Sequence, residues 1–98
     1  MNSVAQSLQQ IKFECLTYIK EFGANGSEWM GGTCADPRHT LFEVHGVDEQ
    51  RDIWCWKPAL SPAAARAAAI FLRDRFGVQQ TARGEEGACV FLYKKIPC

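Results

Sequence analysis

From Val4 to Phe22 the apolar side chains recur every three or four residues, at Val4, Leu8, Ile11, Cys15, Tyr18 and Phe22. That spacing repeats on one side of an α-helix and predicts an amphipathic helix with a single buried stripe. Ser3 and Gln6 stand at capping-box spacing at its start, Gly23 supplies a stop, and Asn25-Gly26 marks a turn. Glu28–Thr33 then reads as a short strand, in which Gly31-Gly32 would let a second backbone or a ligand come close. Asp36-Pro37 pairs a good N-cap with a proline at the first helical position, and Gly46 is a fitting stop. Pro37–His45 is therefore read as a short helix burying Leu41 and Val44. The alternation of Thr40, Phe42 and Val44 with polar neighbours fits a strand instead, but capping chemistry at both ends favours the helix.

In the second half, Asp52–Lys57 carries Ile53, Trp54, Cys55 and Trp56 in succession, the pattern of a strand buried on both faces and hence expected at the centre of a sheet. Pro58 ends it. Ser61-Pro62 repeats the cap-and-proline signal and opens an alanine-rich helix through Phe76, closed by Gly77. Ala63–Ala69 offers so little bulk that this helix can lie close to a sheet. Gln79–Gly87 reads as a polar connection or an edge strand, with a turn at Gly84–Gly87. Ala88–Lys95 is the last strand, with Cys89, Phe91 and Tyr93 opposite Val90, Leu92 and Lys94. The order α-β-α-β-α-(β)-β describes one α+β domain over residues 1–98, with a three- or four-stranded sheet packed against helices. Strand order is left open.

Composition supports one core and narrows the function classes. The chain has 98 residues, 47% of them hydrophobic, enough for one domain and too few for two. Eleven basic and 11 acidic residues cancel, which argues against a role dominated by nucleic-acid or membrane electrostatics. The charges are unevenly placed: residues 1–49 hold 3 basic and 7 acidic side chains, residues 50–98 hold 8 and 4. No apolar run approaches the roughly 20 residues of a membrane span, and no targeting segment stands at the start. A soluble, cytoplasmic protein is expected. The five cysteines, odd in number and irregularly spaced, fit that compartment and read as small buried thiols rather than a disulfide scaffold.

Four constellations carry candidate chemistry. Cys34, His39 and His45 combine thiolate and imidazole in a C-x4-H-x5-H spacing, a ligand set zinc accepts. On a helix, however, His39 and His45 fall on different faces. Cys34 beside a glycine-rich turn, with His39 or His45 as base, is a nucleophile candidate that would need a lowered thiol pKa. Arg66, Arg73, Arg75, Arg83, Lys94 and Lys95 could contact phosphates beside the aromatic strand Trp54–Trp56, and Arg66 and Arg73 share a helix face. Finally, Trp29 next to two glycines is expected to be partly exposed, and exposed Trp and Arg are favoured anchors at protein interfaces.

The stretch Trp29-Met30-Gly31-Gly32-Thr33-Cys34-Ala35-Asp36-Pro37-Arg38-His39-Thr40-Leu41 resembles the second half of the GIY-YIG nuclease motif. It also resembles small bacterial proteins that read Trp/Tyr-x-Gly-x-Thr-x-x-Asp-Pro followed by a basic run, Leu-Phe and His, of a kind carried by mobile elements such as integron gene cassettes. In the nuclease family the tyrosine and a following arginine contact the scissile phosphate, and a glutamate on a later helix holds a divalent metal. Here Trp29 falls on the tyrosine and has no ionisable hydroxyl. The arginine position falls on Thr40, with Arg38 close by, and the metal-binding acid falls near Ala68 or Ala69. The resemblance thus implies a non-catalytic relative.

The leading expectation is a non-enzymatic binding module without a cofactor. It would meet a protein, a nucleic acid or a second copy of itself through Trp29, Arg38, His45, Arg66 and Arg73, and would have no membrane partner. The alternative is a divergent metal-dependent nuclease using Arg38, His39 and His45, with Mg or Zn as its metal.

Overall fold

The computed structural model describes residues 6–22, 26–80 and 86–94. Helix α1 (Leu8–Phe22) leads into a single 3-10 turn, Gly26–Glu28, and strand β1 (Met30–Cys34). A π-helical segment, His39–Val44, precedes strand β2 (Ile53–Pro58) and helix α2 (Pro62–Phe76). The two-residue strand β3 (Gln79–Gln80) and strand β4 (Cys89–Lys94) complete a small α+β domain. The element order is the one the sequence pattern implies.

Local chemistry explains the ends of both helices. Ser61 Oγ accepts the Ala64 N–H at 3.1 Å, Pro62 follows it, and Gly77 closes α2 at φ +76° with its N–H on the Arg73 carbonyl. Helix α1 starts later than the capping-box spacing suggests. Ser7 Oγ accepts the Gln10 N–H at 3.2 Å, while Gln6 leaves the helix and bridges in parallel to Ala59. Ser3, Val4, Gly23 and Asn25 lie outside the described residues.

The sheet order is β2-β4-β1-β3. Strand β4 runs antiparallel to both β1 and β2, and β1 pairs in parallel with β3. Side chains of β4 alternate between two apolar layers. Val90 and Leu92 face α1 and α2, packing with Ile11, Cys15, Ile19, Trp29, Ala65, Ala68, Leu72 and Val78. Phe91 and Tyr93 face the other way, toward Cys34, Leu41 and Val47. The small side chains of α2 are the buried ones, as its alanine run implies.

Strand β2 corrects one expectation: its double-sided apolar pattern is real, yet it lies at the edge of the sheet. Hydrophobic patterning reports which faces are covered, and both faces of β2 are half-buried. It does not report whether the backbone is paired on both sides. The Ala59 N–H bonds the Ala88 carbonyl at 2.6 Å, which sets the phase of β2: Ile53, Cys55 and Lys57 bond toward β4, and Trp54, Trp56 and Pro58 turn their backbone outward. That outer edge is partly blocked. Tyr18 of α1 donates its hydroxyl to the Trp54 carbonyl at 2.7 Å, Gln6 N–H reaches the Pro58 carbonyl at 2.7 Å, and Pro58 has no N–H to offer. Beside these contacts Lys57 Nζ bonds Glu14 Oε1 at 2.7 Å in a mostly buried ion pair.

Two predictions test this frame. A Cβ at Gly87 would lie 2.2 Å from the Cys34 carbonyl oxygen and 2.4 Å from Ala35 N, both backbone atoms. Gly87→Ala therefore forces β1 and β4 apart, and denaturant unfolding should show a loss of about 2 kcal/mol or more. The hydrogen bond from Lys57, seconded by Gln10, holds the Glu14 carboxyl below its ordinary value against the opposing effect of burial. A carboxyl lowered on folding contributes stability that is complete above its unfolded-state pKa and is lost as pH falls through the folded one. Glu14→Gln should cost about 1 kcal/mol at neutral pH. It should also flatten the fall in stability below the ordinary carboxylate range, read from unfolding midpoints across an acid series.

Candidate functional site

The site grows out of Asp36. Its carboxylate Oδ1 accepts the His39 N–H at 3.2 Å and its carbonyl accepts the Thr40 N–H at 3.0 Å, so the turn opens as the Asp-Pro signal predicts. The segment then widens: the His45 N–H bonds the Thr40 carbonyl at 3.0 Å, five residues back, which is π-helical spacing. Gly46, at φ +64°, reverses the chain, and the Val47 N–H closes on the Leu41 carbonyl at 2.9 Å. Helix thus prevails over strand for this stretch. Leu41 is fully buried against the sheet, whereas Val44, expected beside it, is only half-buried. The extra residue in the π turn shifts the phase and turns Val44 partly away.

The outer side of this segment frames an open hollow lined by Asp36, Arg38, His39, Phe42 and Glu43. Arg38 NH2 contacts both carboxylate oxygens of Glu49, at 3.2 and 3.3 Å, and its guanidinium carbon lies 5.2 Å from the centre of the Phe42 ring. Phe42 meets Trp54 edge to face at 4.9 Å between centroids, and Trp54 Nε1 donates to the Glu49 carbonyl at 3.2 Å. His39 Nδ1 stands 3.7 Å from Glu43. Asp48 accepts from the Gln50 and Arg51 backbone and its own N–H bonds Asp52, which shapes the loop that brings Glu49 to Arg38. Exposed charge of both signs therefore stands over an aromatic floor. From Asp36 to Asp52 the acids are Asp36, Glu43, Asp48, Glu49 and Asp52, against Arg38, Arg51 and the histidines.

The residues singled out from the sequence do not share one surface. Arg38 and His39 come together at the hollow. His45 lies behind it, half-buried, its ring against Phe91 and Tyr93 at 5.4 and 5.5 Å. Trp29, expected to be partly exposed, is completely buried among α1, α2 and β4. It packs edge-on against Tyr18 at 5.8 Å, and its carbonyl accepts the Gln79 N–H. Arg66 and Arg73 are exposed on α2, paired with Glu86 at 3.4 Å and Asp74 at 3.0 Å. They stand across the sheet from Trp54 and Trp56, which belong to the opposite layer, so the sheet separates these two arginines from the aromatic strand; Arg83 and Lys95 lie outside the described residues.

The thiol and glycine readings change as well. Cys34 is fully buried in the layer beneath the π-helical segment, while His39 is exposed. Among the described residues no group of three His, Cys, Asp or Glu could hold a metal ion, so Cys34, His39 and His45 do not form the zinc set their spacing offers. Burial likewise removes Cys34 as an accessible nucleophile. The space beside Gly31 is filled by the protein: a Cβ there would lie 3.0 Å from the Phe91 carbonyl oxygen and 3.2 Å from Val78. Three contributors were missed from sequence: Phe42 and Glu43, which line the hollow, and Glu49, which pairs with Arg38. Phe42 was readable, since Arg38 and Phe42 are four apart on a helix. Glu49 carried no signal, because the loop that delivers it is set by contacts within the folded chain.

Among the described residues no helix is long and apolar enough to cross a membrane. Two substitutions separate scaffold from surface. Trp29→Ala should cost about 3–5 kcal/mol in denaturant unfolding, the cost of emptying a core aromatic site. Arg38→Ala, which removes an exposed ion pair, should change stability by no more than about 0.5 kcal/mol. Comparison with known protein families, characterised proteins and solved structures finds no match for this chain.

Proposed function

We propose that this protein is a non-enzymatic binding module whose partner is another protein, contacted through the outer side of the Asp36–Val44 stretch. The observation that carries this reading is the hollow itself, where Arg38, with its guanidinium over Phe42, stands at the rim of an open surface above Trp54. Arginine and aromatic side chains held in place by neighbours provide contact area and directional hydrogen bonds at little entropic cost on association.

The local charge favours a protein over a nucleic acid. Five carboxylates between Asp36 and Asp52 oppose a phosphate backbone, and the arginines of α2 lie on the far layer. A polypeptide can meet both signs, pairing with Arg38 at one side of the hollow and with Glu43 at the other. A second copy of the chain is one such polypeptide.

The test compares affinity capture from native-host extract by the wild-type protein and by an Arg38→Glu/Phe42→Ala variant of unchanged melting temperature. A protein retained by the wild type and reduced at least about tenfold by the variant supports the reading, that ratio corresponding to the loss of one good contact. Equal retention, or no protein held, sinks it. The competing nuclease reading is tested by incubating the protein with DNA and RNA in magnesium or manganese. Cleavage abolished by Arg38→Ala would replace the binding reading with an enzymatic one.

A further inference from the structure

The sheet keeps two oppositely charged surfaces apart, and each carries what the other lacks. On the side of the π-helical segment, residues 36–52 hold an excess of three negative charges with the histidines neutral. Glu43 lines the hollow and Glu49 lies beside Arg38, and both carboxylates are exposed. The half-buried Phe42 gives the same hollow an apolar wall. On the other side, α2 holds an excess of two positive charges, Arg66, Arg73 and Arg75 against Asp74. Arg66, Ile70 and Arg73 are spaced four and three apart, so they form one stripe along the helix. Ala65, Ala68 and Leu72 take the side of α2 that is buried against the sheet and leave this stripe to solvent, with Ile70 45% exposed. From arginine to arginine the stripe runs about 10 Å, at the rise of an α-helix.

The ion pairs these groups make within one molecule hold them loosely. Arg66 meets Glu86 at 3.4 Å, Arg73 meets its neighbour Asp74 at 3.0 Å, and Arg38 meets Glu49 at 3.2 Å, with both side chains of every pair exposed. Exposed pairs are weak because water screens them, so a surface offering several opposite charges and an apolar contact together can displace them. Basic–apolar–basic on α2 matches acidic–aromatic–acidic at the hollow. The two surfaces lie on opposite layers of the sheet, so they cannot meet within one molecule. They can meet only between copies. Two copies joined in this way leave one hollow and one stripe unused. The contact is therefore heterologous, and assembly continues into a chain or closes as a ring rather than ending at a two-fold dimer.

We infer that the hollow receives α2 of a second copy of this chain, and that copies assemble head to tail. The arginines of the Arg66–Ile70–Arg73 stripe face Glu43 and Glu49 of the next copy, and Ile70 meets Phe42. Arg38, released from Glu49, meets Asp74, the one acid on α2. This inference rests on the reading of the hollow as a protein-binding site and names its partner.

The experiment is sedimentation velocity on the purified full-length protein from about 10 μM to 1 mM, at about 0.05 M and about 0.5 M salt. The expected result is species larger than a dimer that grow with concentration at low salt, with association at least about tenfold weaker at high salt. Arg66→Gln/Arg73→Gln neutralises the stripe and Glu43→Gln/Glu49→Gln neutralises the hollow. Each variant, of unchanged melting temperature, should be monomeric alone at low salt. Mixed, they should form one-to-one dimers and nothing larger, because the first keeps its hollow and the second its stripe. A wild type that stays monomeric, stops at a dimer or associates equally at both salt concentrations would overturn the inference. So would association that survives in either variant, or a mixture that forms no dimer. A monomeric wild type that still captures another protein from extract, with capture lost in Arg38→Glu/Phe42→Ala, rejects self-assembly alone. A monomeric wild type that captures nothing rejects the binding-module reading with it.

Discussion

Strand β4 is the constraint on which the rest of the molecule depends. Its backbone is paired on both sides, to β1 and to β2, and its side chains are buried on both faces, Val90 and Leu92 on one and Phe91 and Tyr93 on the other. A strand in that position has no solvent-facing side, so all its neighbours must be in place before its polar backbone is satisfied. It is also the last strand among the described residues, while its partners come from the first third and the middle. The fold is thus closed by contacts distant in sequence, and the loop entropy of those pairings is met by the two apolar layers that β4 completes.

Because β4 divides the interior into two layers, it also divides the surface. Helices α1 and α2, and the arginines of α2, lie on one side. The π-helical segment, the loop carrying Glu49 and the two tryptophans of β2 lie on the other. No surface can therefore combine Arg66 or Arg73 with Trp54 or Trp56, and the balanced net charge of the chain conceals a local excess of acid around the hollow. The edge of the sheet is handled differently at β2 than a hydrophobic pattern suggests. It is half-buried on both faces and blocked along part of its rim by Tyr18, Gln6 and a proline, devices that discourage pairing with another chain while leaving the strand apolar.

Much of the fold was legible because it rests on short-range chemistry. Ser61-Pro62 and Gly77 bound α2, Asp36-Pro37 and Gly46 bound the turn over the sheet, and the alternation at Cys89–Lys94 marks a strand with two distinct faces. The candidate site was legible in part. Arg38 and His39 follow from the helical start at Asp36, and both reach the hollow. Trp29 was misplaced because a large aromatic beside glycines has the same sequence appearance whether the glycines make room for a ligand or for the core. Here they make room for the core: the Phe91 backbone and Val78 crowd Gly31, and the indole fills the space between α1 and α2.

What the sequence by itself determined was the kind, order and approximate limits of the elements, since capping, proline placement and periodicity act within a few residues of one another. What only the tertiary structure decided was adjacency. The position of β2 at an edge, the burial of Trp29 and the arrival of Glu49 beside Arg38 all depend on which strand pairs with which. That choice is made by the mutual fit of two apolar layers on β4, a property of the assembled chain to which no local stretch of residues corresponds.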